Sequence, residues 1–390
     1  MELTETLKHF ISSHQHDDVM ELLLHAAKYP DVDIPFAVQQ ISGRRKASVK
    51  FPSLLENDNI IYPPQLSMEQ ASSETTAHYK ANLVKDKTVI DLTGGLGIDS
   101  LYMSEAAKQL VYVEHNPELV AIARHNFDAM HAPIETYCDD GITFLQKSNR
   151  QFDVLYIDPS RRNEHQQRVI ALDKYEPNVL EAMSLFYQHA SRFIIKISPM
   201  MDISQAITTL PYVEKVHIIA IKNECKELLF ECVNYPTETE ITAVHFGMQE
   251  DGRFAFFQKE EKNATAHYTA IVKQYLYEPN VALMKAGAYR LLAFRFSLEK
   301  LHPASHLYTS DQLISNFPGR IFEVVTTFPL NKASLRKWLP SLQANVAVRN
   351  FPMTVADIRH KFQLKEGGDH YLFASTFADE SKGMIFCKKL

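Results

Sequence analysis

The sequence predicts an α/β protein. A mostly parallel, doubly wound sheet with a terminal antiparallel hairpin is flanked by a helical N-terminal region and a smaller α+β C-terminal domain. Three observations predict it. Short β-branched runs alternate with helical stretches between Thr88 and Val233. Apolar residues repeat at helical spacing before that, and the last seventy or so residues return to mixed strands and helices.

In the first region Leu3, Leu7, Phe10 and Ile11 share one helix face, and Val19, Leu22, Leu23 and Ala26 repeat the pattern. Pro30 and Pro35 are expected to bracket a turn. A second helix is expected from Ser67 to Val84, with Gln70 at the capping-box offset. The strand runs are Thr88–Leu92, Leu110–Glu114, Ile134–Cys138, Val154–Ile157, Phe193–Ile197, Lys215–Ile221 and Leu228–Val233. Helices fit Ser100–Lys108, Pro117–Met130, Ile142–Gln146, Val179–His189 and Ile203–Leu210. No helix is expected between the last two strands, which suits a hairpin at the sheet edge. Asp251–Ala266 reads as a polar linker or exposed hairpin and Ala270–Arg295 as helix-rich. The tail reads β-α-β-α-β-β from Arg320 to Lys388.

Composition narrows the function. Hydrophobic residues make up 45% and charged residues 23%, ordinary globular values that exclude wholesale disorder. No apolar run approaches a membrane span, and Met1-Glu-Leu-Thr-Glu5 lacks the basic and apolar regions of a signal peptide. A cytoplasmic location is expected. Four cysteines form no CxxC pair, so neither a disulfide framework nor a metal site is expected. The net charge of −6 argues against a protein that coats nucleic acid over its whole surface, but not against a local basic patch. Arg44, Arg45, Lys46 and Lys50 form one acid-free run. From Asn331 to Leu390, ten Lys and Arg face five Asp and Glu. Both are candidate RNA contacts, and the first reads more readily as solvated surface.

The chemistry concentrates in Val89-Ile-Asp-Leu-Thr-Gly-Gly-Leu-Gly-Ile-Asp99. An apolar strand ends in an acid, a glycine loop follows, and a helix starts. Glycines allow positive φ and close approach to a ligand, and the helix N-terminus offers unpaired N–H groups. The next strand ends in Glu114, where a carboxylate can accept both hydroxyls of a ribose. A dinucleotide site wants G-x-G-x-x-G, but the third glycine is replaced by Ser100. S-adenosyl-L-methionine instead wants an acid four residues before the glycine pair, and Asp91 stands there.

The run Asp153-Val-Leu-Tyr-Ile-Asp158-Pro159-Ser160-Arg161-Arg162 follows the fourth strand. Here the chain resembles the Rossmann-like class I methyltransferases, and its Asp-Pro tetrad resembles their D/N-P-P-x nucleobase motif. The loop Asp91–Ser100 is similar to that of the small-subunit rRNA guanine-N2 methyltransferases. Leu66–Lys80, Lys196–Asp202 and the basic tail resemble a bacterial family of class I methyltransferases with a THUMP-like C-terminal domain. This resemblance spans about Gln40 to the end. It implies a helical region at 1–83, a methyltransferase domain at 84–248, a linker and helical, ferredoxin-like segment at 249–318, and a THUMP-like domain at 319–390.

The resemblance also implies roles. Asp91, Gly95 and Gly97 hold the methionine end of the cofactor, and Glu114 takes the ribose. Thr93, Asp99 and His115 join this cofactor set. Asp140 contacts the adenine amine, or caps the following helix, in which case it is not a ligand. If it is a ligand, Asp139 is the cap. Asp158 and Pro159 face the acceptor atom, with Ser160 and Arg161 beside them. Ser160 departs from the second proline of the motif, and arginines replace its aromatic. Arg161 and Arg162 either contact substrate or pair with surface acids. Ser72–Thr76, Tyr79 and Lys80 form a polar helix face or a cover for the cofactor. Cys225 and Cys232 read as small buried residues rather than nucleophiles.

The expected function is methyl transfer from S-adenosyl-L-methionine to a nucleobase in ribosomal or transfer RNA. The alternatives are a methyltransferase of a small molecule or protein, and a non-catalytic RNA-binding protein. A nicotinamide-dependent dehydrogenase is disfavoured by the missing glycine and the Asp-Pro motif.

Overall fold

A computed structural model describes residues 3–64, 68–69, 71–161, 172–247 and 252–390. The chain forms two compact units: Met1–Glu214 with Leu229–Thr237, and Lys215–Leu228 with Glu238–Leu390.

The first unit opens with α1 (Glu5–Ser13), α2 (Val19–Leu24) and α3 (Ile34–Lys50). Their apolar faces meet around Leu7, Phe10, Ile11, Leu22, Ile34 and Ile41. Pro35 does not bracket a turn. It lies in the first turn of α3, where its missing N–H costs no helical hydrogen bond, and Asp33 caps the helix by accepting from Phe36 N. The Arg44–Lys50 run is the end of this helix.

Helix α4 is Glu74–Leu83, capped by Ser73. It starts later than the sequence suggested; Ser67 and Gln70 lie outside the described residues. The alternating segment follows as β1 (Thr88–Asp91), α5 (Ile98–Ala106), β2 (Gln109–Glu114), α6 (Pro117–Ala129), β3 (Ile134–Cys138), α7 (Gly141–Lys147) and β4 (Phe152–Ile157). Two short strands, β5 (Ser160–Arg161) and β6 (Tyr175–Glu176), pair antiparallel. Then come α8 (Val179–His189), β7 (Ala190–Ile197) and α9 (Ile203–Thr209). Asn116, Asp140, Asn178 and Asp202 cap α6 to α9 with their side chains, each worth about 1 kcal/mol.

The strand order is β3-β2-β1-β4-β7, all parallel. The order reverses between β1 and β4. The loops leaving their C-terminal ends diverge there, and doubly wound sheets bind ligands in the crevice so formed. Asp91 and Asp158 stand at that point.

Strands β8 (Val213–Ile221) and β9 (Glu224–Val233) turn through Lys222 and Asn223, both at positive φ, as a two-residue hairpin requires. The hairpin is not the sheet edge. β9 neighbours β7, while β10 (Glu240–Phe246) pairs parallel with β8 and β11 (Gly252–Phe257) antiparallel with β10. The apolar run Ile241–Val244 makes β10 a strand that the sequence reading passed over.

The second unit continues with α10 (Gln258–Asn263), β12 (His267–Tyr268), β13 (Tyr275–Pro279), α11 (Val281–Ala286), α12 (Tyr289–Arg295), β14 (Glu299–Lys300) and β15 (Tyr308–Ser310). Tyr275–Pro279 is thus a strand inside the stretch expected to be helix-rich. The tail is β16 (Gly319–Phe328), α13 (Lys332–Trp338), β17 (Asn345–Arg349), α14 (Val355–Phe362), β18 (His370–Thr376) and β19 (Lys382–Lys389), the expected β-α-β-α-β-β order. β13 to β19 join one mixed sheet, with Leu335, Ile358, Leu372 and Phe386 in one core and Leu276, Phe322, Phe373 and Ile385 in another.

Candidate active site

The glycine loop is tied down by main-chain geometry. Gly95 and Gly97 sit at φ of 53° and 82°, and Gly97 N bonds Gly94 O. A Cβ on Gly97 would meet the Phe127 ring at 2.6 Å, and one on Gly94 the Tyr112 ring at 2.1 Å. The loop therefore lies flat on β2 and α6. Tyr112 fastens it by donating to Gly95 O at 2.6 Å.

Two acids face this loop. Asp91 is 1% exposed and accepts from Thr93 N at 3.1 Å and Ser100 Oγ at 2.6 Å. Burial pushes its carboxyl up to about 7 against those two bonds, with Asp99 and Asp158 adding to the rise. Glu114 accepts from Gly95 N at 2.9 Å and Asn116 N at 2.8 Å. Each carboxylate oxygen has a further lone pair for a ligand hydroxyl. His115 Nδ1 lies 3.1 Å from Glu114 on a largely exposed ring. Asp140 caps α7 by accepting from Thr143 N at 2.8 Å, and Asp139 pairs with Lys147 at 3.1 Å. The cap is therefore Asp140, and Asp139 has another task.

Asp99 departs from its expected place among cofactor ligands. Its Oδ1 pairs with Lys80 at 2.8 Å; its Oδ2 accepts from Ser72 Oγ at 3.0 Å and Tyr156 OH at 2.8 Å. Lys196 Nζ stands 3.6 Å away. Burial opposes ionisation of Asp99. The two ammoniums and the Lys80 and Tyr156 hydrogen bonds outweigh it and hold the carboxyl well below the usual range. Asp99 is the centre of a buried ionic cluster.

Asp158 adjoins that cluster. Its N–H donates to Thr93 Oγ1 at 2.7 Å, joining the acceptor motif to the glycine loop, and its Oδ2 pairs with Lys196 at 2.6 Å. Pro159 is buried, and Ser160 is exposed with its Oγ 3.5 Å from Glu176 O. Arg162 and the side chain of Arg161 lie outside the described residues.

Sequence reasoning missed Tyr156 and Lys196 as site residues, and left Ser72 and Lys80 undecided. The signal was present for three of them: Ser72, Lys80 and Lys196 stand in the two runs that carry the family resemblance. The bases of the Arg44–Lys50 run, expected as solvated surface or an RNA contact, are partnered within the fold. Arg44 pairs with Asp58 at 2.8 Å, Arg45 donates to the Gln15 and Asp17 carbonyls, and Lys46 pairs with Glu69 at 2.5 Å. Lys50 donates to three carbonyls between Met68 and Ala71. Cys232 is buried and Cys225 partly so. Burial raises the Cys225 thiol to about 11 and Cys232 further, which opposes nucleophilic use. His302 and His306 have ligand-like spacing, yet among the described residues no three His, Cys, Asp or Glu are placed to hold a metal. No described helix is long and apolar enough to cross a membrane.

The donor set tests the cofactor. Asp91 and Glu114 put carboxylates against the glycine loop, which disfavours a pyrophosphate there, whereas Asp99 and Asp158 are paired with Lys80 and Lys196. Glu114 at the next strand end suits ribose hydroxyls. A parallel sheet with this site defines a class I methyltransferase.

Comparisons with known proteins agree. Residues 53–198 match a family described as conserved hypothetical protein 95, 275–318 a ferredoxin-like domain and 319–389 a THUMP domain-like family. A candidate methyltransferase from Porphyromonas gingivalis W83, solved as a crystal structure, is 31% identical over 100% of both chains, with a TM-score of 0.87. An uncharacterised S-adenosylmethionine-dependent methyltransferase of Mycobacterium tuberculosis is 21% identical over 340 residues, covering 85% of this chain and 89% of that one. Ribosomal RNA small subunit methyltransferase J of Acinetobacter baumannii is 28% identical over 138 residues, 32% of this chain and 48% of that one. The chain belongs to the family of S-adenosylmethionine-dependent methyltransferases in which a class I domain is fused to a THUMP-like domain.

S-adenosyl-L-methionine supplies an activated methyl group on a cationic sulfur. Asp91 and the glycine loop would hold its methionine end and Glu114 its ribose. The protein would contribute binding and orientation.

Proposed function

We propose that this enzyme methylates a nucleobase in structured RNA, ribosomal or transfer, in the cytoplasm. One observation carries the reading: Asp158 directly follows β4 at the sheet's switch point, its N–H bonded to the glycine loop and its side chain 38% exposed. A carboxylate so placed accepts a hydrogen bond from an acceptor N–H and aims the nitrogen lone pair at the methyl donor. Pro159 stiffens the turn. The ribosomal RNA methyltransferase among the relatives and the THUMP-like domain support an RNA acceptor. So do the exposed bases Lys332, Arg336, Lys337, Lys361 and Lys365 on and beside α13 and α14, which offer charge for a phosphate backbone.

The test uses the full chain, methyl-labelled S-adenosylmethionine and unmodified transcripts of ribosomal and transfer RNA. Label should enter a base. Asp158→Ala should lose at least about 100-fold in transfer, the scale of lost orientation, while cofactor affinity by calorimetry stays within about threefold, since Asp158 is placed on the acceptor side. Transfer by Asp158→Ala at the wild-type rate would refute the reading.

A further inference from the structure

Lys196 is the residue of β7 beside Asp158. The register pairs Tyr156 with Ile194 and Ile157 with Ile195, so the next step along both strands sets Asp158 against Lys196. The Lys196 side chain is 13% exposed. Its Nζ lies 2.6 Å from Asp158 Oδ2, 3.0 Å from Ser72 Oγ and 3.6 Å from Asp99 Oδ2. An ammonium has three donors, and here three segments of chain converge on it. Among the described residues, Asp158 Oδ1 takes no partner.

We infer that Lys196 is a positioning and specificity-determining residue: it fixes the Asp158 carboxylate with one oxygen turned to the acceptor, and its charge restricts that acceptor to a neutral N–H donor such as a nucleobase. The inference rests on the acceptor-orienting reading of Asp158. A rotating carboxylate presents its oxygens in several directions. One gripped through Oδ2 presents Oδ1 in one.

The charge balance supplies the second part. Lys80 and Lys196 already pair with Asp99 and Asp158, and both lysine side chains are largely buried. A protein lysine or arginine arriving in its protonated form would bring a third positive charge that no unpaired carboxylate beside Lys196 meets among the described residues, next to a cationic cofactor. Buried Asp91 adds little, because burial raises its carboxyl to about 7. A neutral base brings no such charge.

The experiment compares Lys196→Met, Lys196→Gln, Lys196→Arg and Lys80→Met in the full chain. It measures kcat and KM for transcribed ribosomal RNA, cofactor affinity by calorimetry, and label transfer to poly-L-lysine. Lys196→Met should lose about 30-fold in kcat, a loss typical of a misplaced reacting geometry, with KM and cofactor affinity within about threefold. Lys196→Arg keeps the charge and should recover most of kcat. Lys196→Gln keeps donors without charge and serves the same test if Lys196→Met fails to fold. Wild-type enzyme should leave poly-L-lysine unlabelled. The inference is overturned if Lys196→Met or Lys196→Gln keeps kcat within about twofold, the range expected of a residue that moves no reacting group. It also falls if Lys196→Arg recovers nothing and Lys196→Met merely matches Lys80→Met in lost stability and cofactor binding, the pattern of an anchor. Label on poly-L-lysine overturns the selectivity. An Asp158→Ala enzyme at full rate refutes the reading beneath it, whereas an inactive Asp158→Ala beside a fully active Lys196→Met removes only the role of Lys196.

Discussion

The two sides of this site are built by different means. On the cofactor side, Asp91 and Glu114 hold main-chain N–H groups of Thr93, Gly95 and Asn116, all within one stretch of chain. On the side of Asp158, the proposed acceptor side, Ser72, Lys80, Asp99, Tyr156, Asp158 and Lys196 hold one another by side chains drawn from distant segments. The first side is a loop whose residue types determine its shape. The second exists only once the fold is complete. Each main-chain bond on the cofactor side stands nearly alone, whereas the acceptor-side charges balance as a unit.

Removing Asp99 should show this most strongly. Asp99→Ala leaves Lys80, 0% exposed, buried without its carboxylate. Breaking a buried pair from one side costs roughly 3–5 kcal/mol, so urea unfolding should show a loss on that scale. Glu114→Ala should behave differently. Its two N–H partners are freed at about 1–3 kcal/mol or less. Its main effect should be on S-adenosylmethionine affinity, down about 10- to 100-fold by calorimetry, the worth of hydrogen bonds to a charged group. A Glu114→Ala protein less stable than Asp99→Ala would reverse the comparison.

The same contrast explains what was legible in the sequence. The parallel strands were readable because each is a short β-branched run that alternates with a helical stretch; the capping side chains of Asn116, Asn178 and Asp202 emerged only from the structure. The glycine loop and the two acids that hold its N–H groups, Asp91 and Glu114, were readable as one constellation because their spacing is local. Helix α3 was lost behind Pro35, which breaks a helix interior but suits a first turn. Strand β10 was passed over because a strand does not encode its neighbour; its pairing with β8 is a tertiary fact. Asp99 misled for a related reason. Its position in the motif reads as cofactor-facing, and only the approach of Lys80 and Tyr156 makes it an internal counter-ion. The charge of Arg44–Lys50 was visible, but not the acids and carbonyls that occupy it.

Asp91 sharpens the comparison, because it faces the cofactor loop yet feels the buried charges of the other side. Its carboxyl is raised from 3.8 to about 7, chiefly by burial. The sign follows from linkage. The folded state binds this proton more tightly than the unfolded state, so between about pH 4 and pH 7 folding takes up a proton and stability falls as pH rises. Above the folded value the penalty is complete; below the unfolded value it is absent. Between pH 6 and pH 7.5 the wild type should lose on the order of 1 kcal/mol relative to Asp91→Asn, which has no proton to exchange. Urea unfolding of both proteins across that window measures the difference directly. Parallel pH profiles would mean that Asp91 is solvated like an ordinary carboxylate, and that the cofactor side does not sense the ionic cluster behind it.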